Sequence, residues 1–351
     1  MPRTRPLILI GLTLFAAGAL HAVEPKVVDN PARGAWEDEK PRKTFDLLEE
    51  LFLGGDDEEN DVVFGRIADI AVDSKGRWLV LDSGFTQVTV YNPDSMTVRT
   101  FGRKGEGPGE FNQPTAIAVD AQDRIYVASM GGRIAVFTPG GELIEEFRHK
   151  FHSGGIIGGL NPVANGLYVA CFDPVDAKVV HQYDTKHQYL SSFSDSWSAV
   201  KKPPPGEELW AQGGVIDIGP DGFVYYSQYT PYEIRKFSPD GQLLMTIHRE
   251  NDFKPPHIER SGDSATFYAY SGSFGILVLS DGKILNVAGL VGDGHKFEST
   301  VLDLFDADGR LLKSVEVDRT IWIKCRDARD RLYASEAREV PQVVRYRLGF
   351  R

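Results

Sequence analysis

The stretch IADIAVDSKGRWLVLD, from Ile67 to Asp82, holds the pattern that decides the fold. An apolar run ends at a tight turn rich in Asp and Gly, and a second apolar, aromatic-tinged run follows. The same sentence recurs as TAIAVDAQDRIYVAS from Thr115 and VIDIGPDGFVYYSQ from Val215. Weaker copies are NGLYVACF from Asn165, GILVLSDGKILNVA from Gly275 and WIKCRDARDRLYASE from Trp322. Anchored on Leu79, Tyr126, Tyr168, Tyr225, Leu285 and Tyr333, the copies stand 47, 42, 57, 60 and 48 residues apart. That spacing is too long for one hairpin and suits a four-stranded propeller blade. Second turns at Asn92-Pro93-Asp94, Pro139-Gly140-Gly141, Pro239-Asp240-Gly241 and Ala307-Asp308-Gly309 supply the backbone angles that tight turns demand.

Between turns the chain is rich in Val, Ile, Tyr and Phe at strand lengths, with little helical periodicity. The reading is all-β: a six-bladed β-propeller of four-stranded blades spanning residues 45–351. The sixth unit supplies three strands, ending at Gln342–Leu348, and Leu48–Leu53 is the candidate fourth. Pairing the N-terminal and C-terminal strands would close the ring and leave no open edge. A short helix over Phe45–Phe52 is the competing reading, since Phe45, Leu48 and Phe52 could share one face.

Residues 1–22 read as a cleavable export signal: Arg3 and Arg5 precede the apolar run Leu7–Leu20, with Ala22 at the expected cut. Residues 23–44 read as a linker. The expectation is an exported protein, periplasmic or secreted, monomeric and not inserted in a membrane after cleavage. Loss of the two signal arginines takes the formal net charge from −11 to −13. Such acidity disfavours nucleic acid as a partner, because phosphate binding rests on Lys and Arg. Cys171 and Cys325 fall in units on opposite sides of the ring, too far apart for a disulfide, and their apolar flanks suggest buried, inert thiols.

The segment Val80–Ser129, with its connector Gly102…Gly105-x-Gly107-Pro108-Gly109-x-Phe111…Pro114, the AVD turn and the strand IYVAS, resembles NHL repeats. With the export signal, the chain resembles bacterial exported six-bladed β-propeller proteins with NHL-like repeats over roughly residues 45 to 350. The resemblance implies the propeller and, often, binding rather than catalysis; it names no ligand. Thr86-Gln87 stand where such repeats usually place Asn and Arg, and the inserts after Phe193 and Ile247, candidates for a lid, are not typical.

Several motifs invite chemistry. The Gly102–Gly109 connector lacks the Gly-Lys-Ser/Thr ending of a phosphate loop. The acidic run Asp56–Asp61 lacks the ligand spacing of a calcium loop. His149 and His152 could pair on a metal, but no Cys or carboxylate is close in sequence; His181 and His187 flank a turn and read as surface residues. The channel-lining inner segments, Phe64–Val72, Pro114–Val119, Leu160–Ala164, Gly213–Gly219, Ser273–Leu279 and Thr320–Cys325, contain no histidine. That speaks against a lyase holding zinc there, as peptide-amidating propellers do. They offer Asp69, Asn161 and Asp217, a thin ligand set for Ca2+ in a lactonase-like hydrolase or lyase.

The loop face offers more. Loops between second and third strands, and those joining blades, would gather Phe85, Arg103, Arg133, Phe172, Trp197, Trp210, Tyr229, Tyr232, Tyr268, Tyr270 and His295 on one side. Aromatics with a few arginines are what binding hot spots use. The reading is a non-catalytic binding propeller, without cofactor, recognising a peptide, protein or glycan on that face, with Arg103 and Arg133 fixing any anionic group. The alternatives are the metal-dependent enzyme at the channel mouth and a structural module of an envelope assembly.

Overall fold

The computed structural model describes residues 24–55, 62–149, 156–173, 175–196, 213–254, 257–261, 264–294 and 296–351. The signal, the acidic run Asp56–Asp61, His152 and most of the insert after Phe193 lie outside the described residues.

Each repeat copy becomes an antiparallel sheet. Blade one comprises β3 (Ile67–Val72), β4 (Trp78–Asp82), β5 (Gln87–Asn92) and β6 (Thr97–Phe101). Blade two comprises β7 (Pro114–Val119), β8 (Ile125–Ser129), β9 (Arg133–Phe137) and β10 (Leu143–Arg148). Blade three comprises β11 (Gly159–Val163), β12 (Gly166–Ala170), β13 (Lys178–Tyr183) and β14 (Tyr189–Asp195). Blade four comprises β15 (Gly214–Ile218), β16 (Val224–Gln228), β17 (Glu233–Phe237) and β18 (Leu243–Arg249), followed by a hairpin, β19 (His257–Ser261) and β20 (Ser264–Tyr268), in the insert after Ile247. Blade five comprises β21 (Gly272–Val278), β22 (Ile284–Val291), β23 (Phe297–Phe305) and β24 (Leu311–Val317). Blade six comprises β25 (Ile321–Arg326), β26 (Leu332–Ala337) and β27 (Pro341–Phe350), completed by β2 (Phe45–Leu53) from the start of the chain. The inner strands meet in sequence around the axis, and β25 returns to β3.

Phe45–Leu53 is therefore a strand, antiparallel to β27 from Phe45 opposite Phe350 to Leu53 opposite Val343. A helix there would leave β27 unpaired at its outer edge, which is the cost that decides against it.

The second strands explain the apolar runs. In β4, Trp78 and Val80 pack toward blade six while Leu79 and Leu81 pack toward blade two. In β8, Ile125 and Val127 face blade one while Tyr126 and Ala128 face blade three. Both faces are covered, so neither strand alternates with polar residues. The core is accordingly six apolar layers, one between each pair of neighbouring blades. The closing layer, between blades six and one, centres on Trp78, which meets Tyr91 and Tyr333 edge-on at 5.4 and 5.3 Å between centroids.

The turns carry their own locks. Asp73, Asp120 and Asp327 each accept backbone N–H bonds within the turn and pair with the arginine four residues on, Arg77, Arg124 and Arg331. Turns of neighbouring blades are clasped as well: Ser74 gives its N–H and hydroxyl to Asp123 at 2.9 and 2.8 Å. Ser280 does the same to Asp330 at 3.0 and 2.5 Å.

The stretch that composition leaves as a linker contains β1 (Lys26–Asn30), which adds a fifth strand parallel to β18 on the outer edge of blade four. Asn30 then bridges to blade five, donating to the carbonyls of His248 and Gly309 and accepting from the Leu311 N–H at 2.7 Å. Trp36 reaches Phe350 at 6.2 Å, so this arm runs across the outer edges of blades four to six. His248 sits between Asp29 at 2.9 Å and Glu233 at 3.1 Å, and Glu233 also takes Arg235. Burial opposes its charge, but the two carboxylates outweigh it and raise its pKa.

Two outcomes follow from this packing. Trp78→Ala should lower unfolding stability by about 3–5 kcal/mol, the range for losing a fully buried large aromatic, read as a drop in urea midpoint. Because the folded His248 pKa is raised, its contribution to arm docking is complete below the ordinary value of 6.5 and fades as pH rises through the folded one. Hydrogen exchange of the Lys26–Asn30 amides, corrected for intrinsic rates, should lose protection above that pH in the native chain. In His248→Gln the pH dependence should be absent.

Candidate functional site

The inner strands enclose a channel of about 750 Å3 lined by residues of all six blades. Its lining is rich in Ile, Val and Ala from the inner strands, with three features that stand out.

The first is a pair of carboxylates. Asp69 accepts the N–H of Ile70 through Oδ1 and that of Ile117, on the next inner strand, through Oδ2, both at 2.9 Å. Asp217 repeats the arrangement with Ile218 at 2.9 Å and Val278 at 2.7 Å. Each side chain thus ties its own inner strand to its neighbour's. Burial pushes both pKa values up to about 6, against the pull of those N–H donors and of Lys324 on Asp69 and Arg326 on Asp217. All four carboxylate oxygens already serve as backbone acceptors. Asn161, the third residue of the candidate calcium set, lines the same channel on β11.

The second feature is a cluster of charges of both signs. The cations of the lining, Lys324 and Arg326, stand among Asp69, Asp217 and Asp327, and Arg326 also pairs with Asp330 at 3.2 Å. Cys325 lies between these groups, and burial, then the charges of Asp69 and its neighbours, raise its thiol pKa well above the ordinary value.

The third is an aromatic wall at the mouth where the inner strands begin. Phe274 meets Tyr229 at 5.5 Å, Tyr270 at 5.9 Å, Phe297 at 5.4 Å and Trp322 at 5.1 Å, while Phe297 and Trp322 meet at 4.8 Å. All five rings are half-buried. Phe274 occupies a bulge in β21, between Ser273 and Gly275, and bulges re-aim side chains in this way. Trp322 alternates with the buried Ile321 and Ile323 and so turns to the channel. Glycines make the room: a Cβ at Gly289 would stand 2.9 Å from the Phe297 ring, and one at Gly213 would stand 2.6 Å from Tyr229. Burial and the Asp69 charge hold the Tyr229 hydroxyl up to about 12, so it is a proton donor throughout the neutral range.

Among the residues expected on the loop face, Tyr229 and Tyr270 meet in this wall. Phe85 is on the turn after β4, 52% exposed, and Arg103 is exposed and paired with Glu110 at 2.7 Å. Arg133 donates to the carbonyls of Glu106, Gly107 and Glu110 and so holds the glycine-rich connector in place. Tyr232 is buried and gives its hydroxyl to Asp303, itself paired with Arg249, both at 2.9 Å or less. Phe172 packs partly buried against the core between blades three and four. Trp197, Trp210, His295 and the Tyr268 side chain lie outside the described residues. The expectation that His181 and His187 are surface residues is corrected: both are buried, His187 stacked on Phe147 at 4.2 Å.

Phe274, Phe297 and Trp322 escape sequence reasoning because an aromatic inside an apolar strand looks like core. The readable signal is the alternation around Trp322 on an inner strand, where a large ring stands between two isoleucines.

A family model described as a 6-bladed beta-propeller matches residues 43–172, from the closing strand into blade three. No curated protein matches the chain in sequence. Among solved structures, Kuenenia stuttgartiensis hydrazine synthase is similar over 80% of this chain and 77% of its own, at 14% identity and a TM-score of 0.51. A Bacteroides fragilis NCTC 9343 protein thought to be exported is similar over 92% of this chain and 100% of its own, at 10% identity and a TM-score of 0.56. At these identities the likeness is one of fold: the chain is a six-bladed β-propeller. Among the described residues no helix is long and apolar enough to cross a membrane.

The raised aspartate values have a readable consequence. An acid whose folded pKa exceeds its unfolded one binds more protons folded, so its contribution to stability falls as pH rises from about 4 to 6. The stability difference between the native chain and the Asp69→Asn, Asp217→Asn double variant should therefore shrink over that interval, measured by urea unfolding at each pH.

Proposed function

We propose that this chain is a non-catalytic binding propeller, acting outside the cytoplasm, that receives an apolar side chain of a partner peptide or protein loop at the aromatic channel mouth. The observation that carries the reading is the wall of five half-buried rings, Tyr229, Tyr270, Phe274, Phe297 and Trp322, set by a bulge and by glycines. Rigid aromatics around a recess, surrounded by residues that keep water out, are how binding hot spots are built.

The chemistry of the channel favours a peptide over a glycan. A sugar presents several hydroxyls and needs side-chain carboxylates or amides to take them. Here Asp69 and Asp217 already accept backbone N–H groups and Asp327 holds Arg331 and Tyr333, which leaves Asn161 as the amide of the lining, while Ile67 and Ile156 add apolar surface. The lining sets three carboxylates against two cations, and Arg326 is already paired with Asp330, so a strongly anionic ligand gains little. The same commitment of Asp69 and Asp217 to the frame favours binding over chemistry at a metal. The −11 formal charge of the whole chain argues for a neutral or basic partner, since encounter with an acidic one would be repelled.

A displayed peptide library panned on the purified full chain should yield sequences with a central aromatic or large aliphatic residue. Trp322→Ala and Phe274→Ala should each weaken the selected peptide by about thirtyfold, the scale of a hot-spot truncation near 2 kcal/mol. Arg103→Ala, outside the wall, should not. Unchanged affinity in correctly folded Trp322→Ala and Phe274→Ala would refute the site. Selective capture of glycans instead would refute the ligand class.

A further inference from the structure

Away from the channel, three soft donors converge in the interior between blades two and three. His149 follows β10, Cys171 follows β12 and His181 lies in β13, and the three residues are 4%, 5% and 2% exposed. Each offers one ligand atom such that all three lie within 4.8 Å of one another. The Cys171 sulfur stands 3.1 Å from Nε2 of His149, and the two imidazoles meet at 4.6 Å between centroids.

We infer that His149, Cys171 and His181 form a buried zinc site that joins blade two to blade three. Two imidazole nitrogens and one thiolate sulfur are a borderline-soft donor set, which zinc accepts and calcium or magnesium does not. Zinc bonds of about 2.1 Å to nitrogen and 2.3 Å to sulfur, at tetrahedral angles, separate the nitrogen from the sulfur by about 3.6 Å. The present Sγ to Nε2 gap would open by roughly half an ångström, within reach of side-chain rotation alone.

The supporting contacts are those of a metal site. Ligating histidines are held by a hydrogen bond at the other ring nitrogen. Nδ1 of His149 meets the Tyr183 hydroxyl, and Nδ1 of His181 meets the Ser192 hydroxyl at 2.8 Å. Nε2 of His149 is then the atom on the sulfur side; Nε2 of His181 donates its N–H to the Cys171 carbonyl at 3.1 Å, a bond that zinc would replace as the ring proton moves to Nδ1, toward the Ser192 hydroxyl. Asp173, two residues beyond Cys171, is a buried carboxylate as well. On binding, the Cys171 thiol gives its proton to solvent and zinc takes its place; the two histidines enter neutral. The fourth position falls to water.

Sequence spacing hides the site. His149 and Cys171 are 22 residues apart, and His181 is brought in because β12 pairs with β13, Val169 opposite His181.

The test uses the full mature chain, purified without chelator, stripped and titrated with Co2+ and with Zn2+. One equivalent of Co2+ should produce the near-ultraviolet thiolate-to-cobalt charge-transfer band and the intense visible bands of a four-coordinate ion, and Zn2+ should displace it. Cys325→Ser should keep the charge-transfer band, placing the thiolate at Cys171 even if Cys171→Ser does not fold. His181→Ala should weaken Zn2+ binding at least tenfold, and Asp69→Asn should leave it unchanged, separating this site from the channel. No stoichiometric uptake, uptake without the thiolate band, or loss of the band in folded Cys325→Ser would each overturn the proposal.

Discussion

Two-sided burial of the middle strands is the constraint on which the rest of this molecule depends. A strand such as β4, with Trp78 and Val80 toward one neighbour and Leu79 and Leu81 toward the other, has no face left for water. A single blade would expose both apolar surfaces, so the unit of stability is the ring. Once six layers are filled, the inner strands are held at fixed spacing around the axis. The channel and its rim are consequences of that spacing and not features built separately.

Against this background the polar residues of the channel take on a structural meaning. Asp69 and Asp217 recur at equivalent places in blades one and four, and each spans the step from one inner strand to the next. The turn clasps do the same job nearer the surface, Ser74 to Asp123 joining blade one to two and Ser280 to Asp330 joining blade five to six. Apolar layers are tolerant of sliding, whereas a carboxylate bonded to named N–H groups is not. The layers hold the blades together and the acids set their register. Individuality is left to the rim, where Phe274, Phe297 and Trp322 are large rings at positions the frame does not prescribe.

Much of the architecture was legible because turns speak locally. The Asp-to-Arg pairs of the turns, the Gly and Pro of the hairpins and the apolar runs between them are all visible within a few residues of one another. Closure was legible too, since a blade short of one strand demands a donor. The N-terminal arm was not: Lys26–Asn30 is five residues long and pairs in parallel with a strand more than 200 residues away. The same distance hid the grouping of His149 with Cys171 and His181, which adjacent strands bring together. The aromatic rim was hidden differently, because burial on one side and exposure on the other look alike in an apolar sequence. Of the rim, Tyr229 and Tyr270 could be placed from their loops; Trp322 and Phe274 needed the pleat and the bulge.

The seam between β2 and β27 has a consequence in time. Phe45–Leu53 emerges early from the ribosome, yet its partner, Pro341–Phe350, is made nearly 300 residues later. Until then the last blade lacks an edge and the first lacks one of its two neighbours, so every shorter nascent chain is an open arc with an apolar flank. Growth of the chain at about 5–20 residues per second leaves that flank uncovered for some tens of seconds. A fold whose finished form has no loose edge between its first and last blades thus passes through a vulnerable youth, and whatever shields it in that interval matters as much to the cell as the stability of the closed ring.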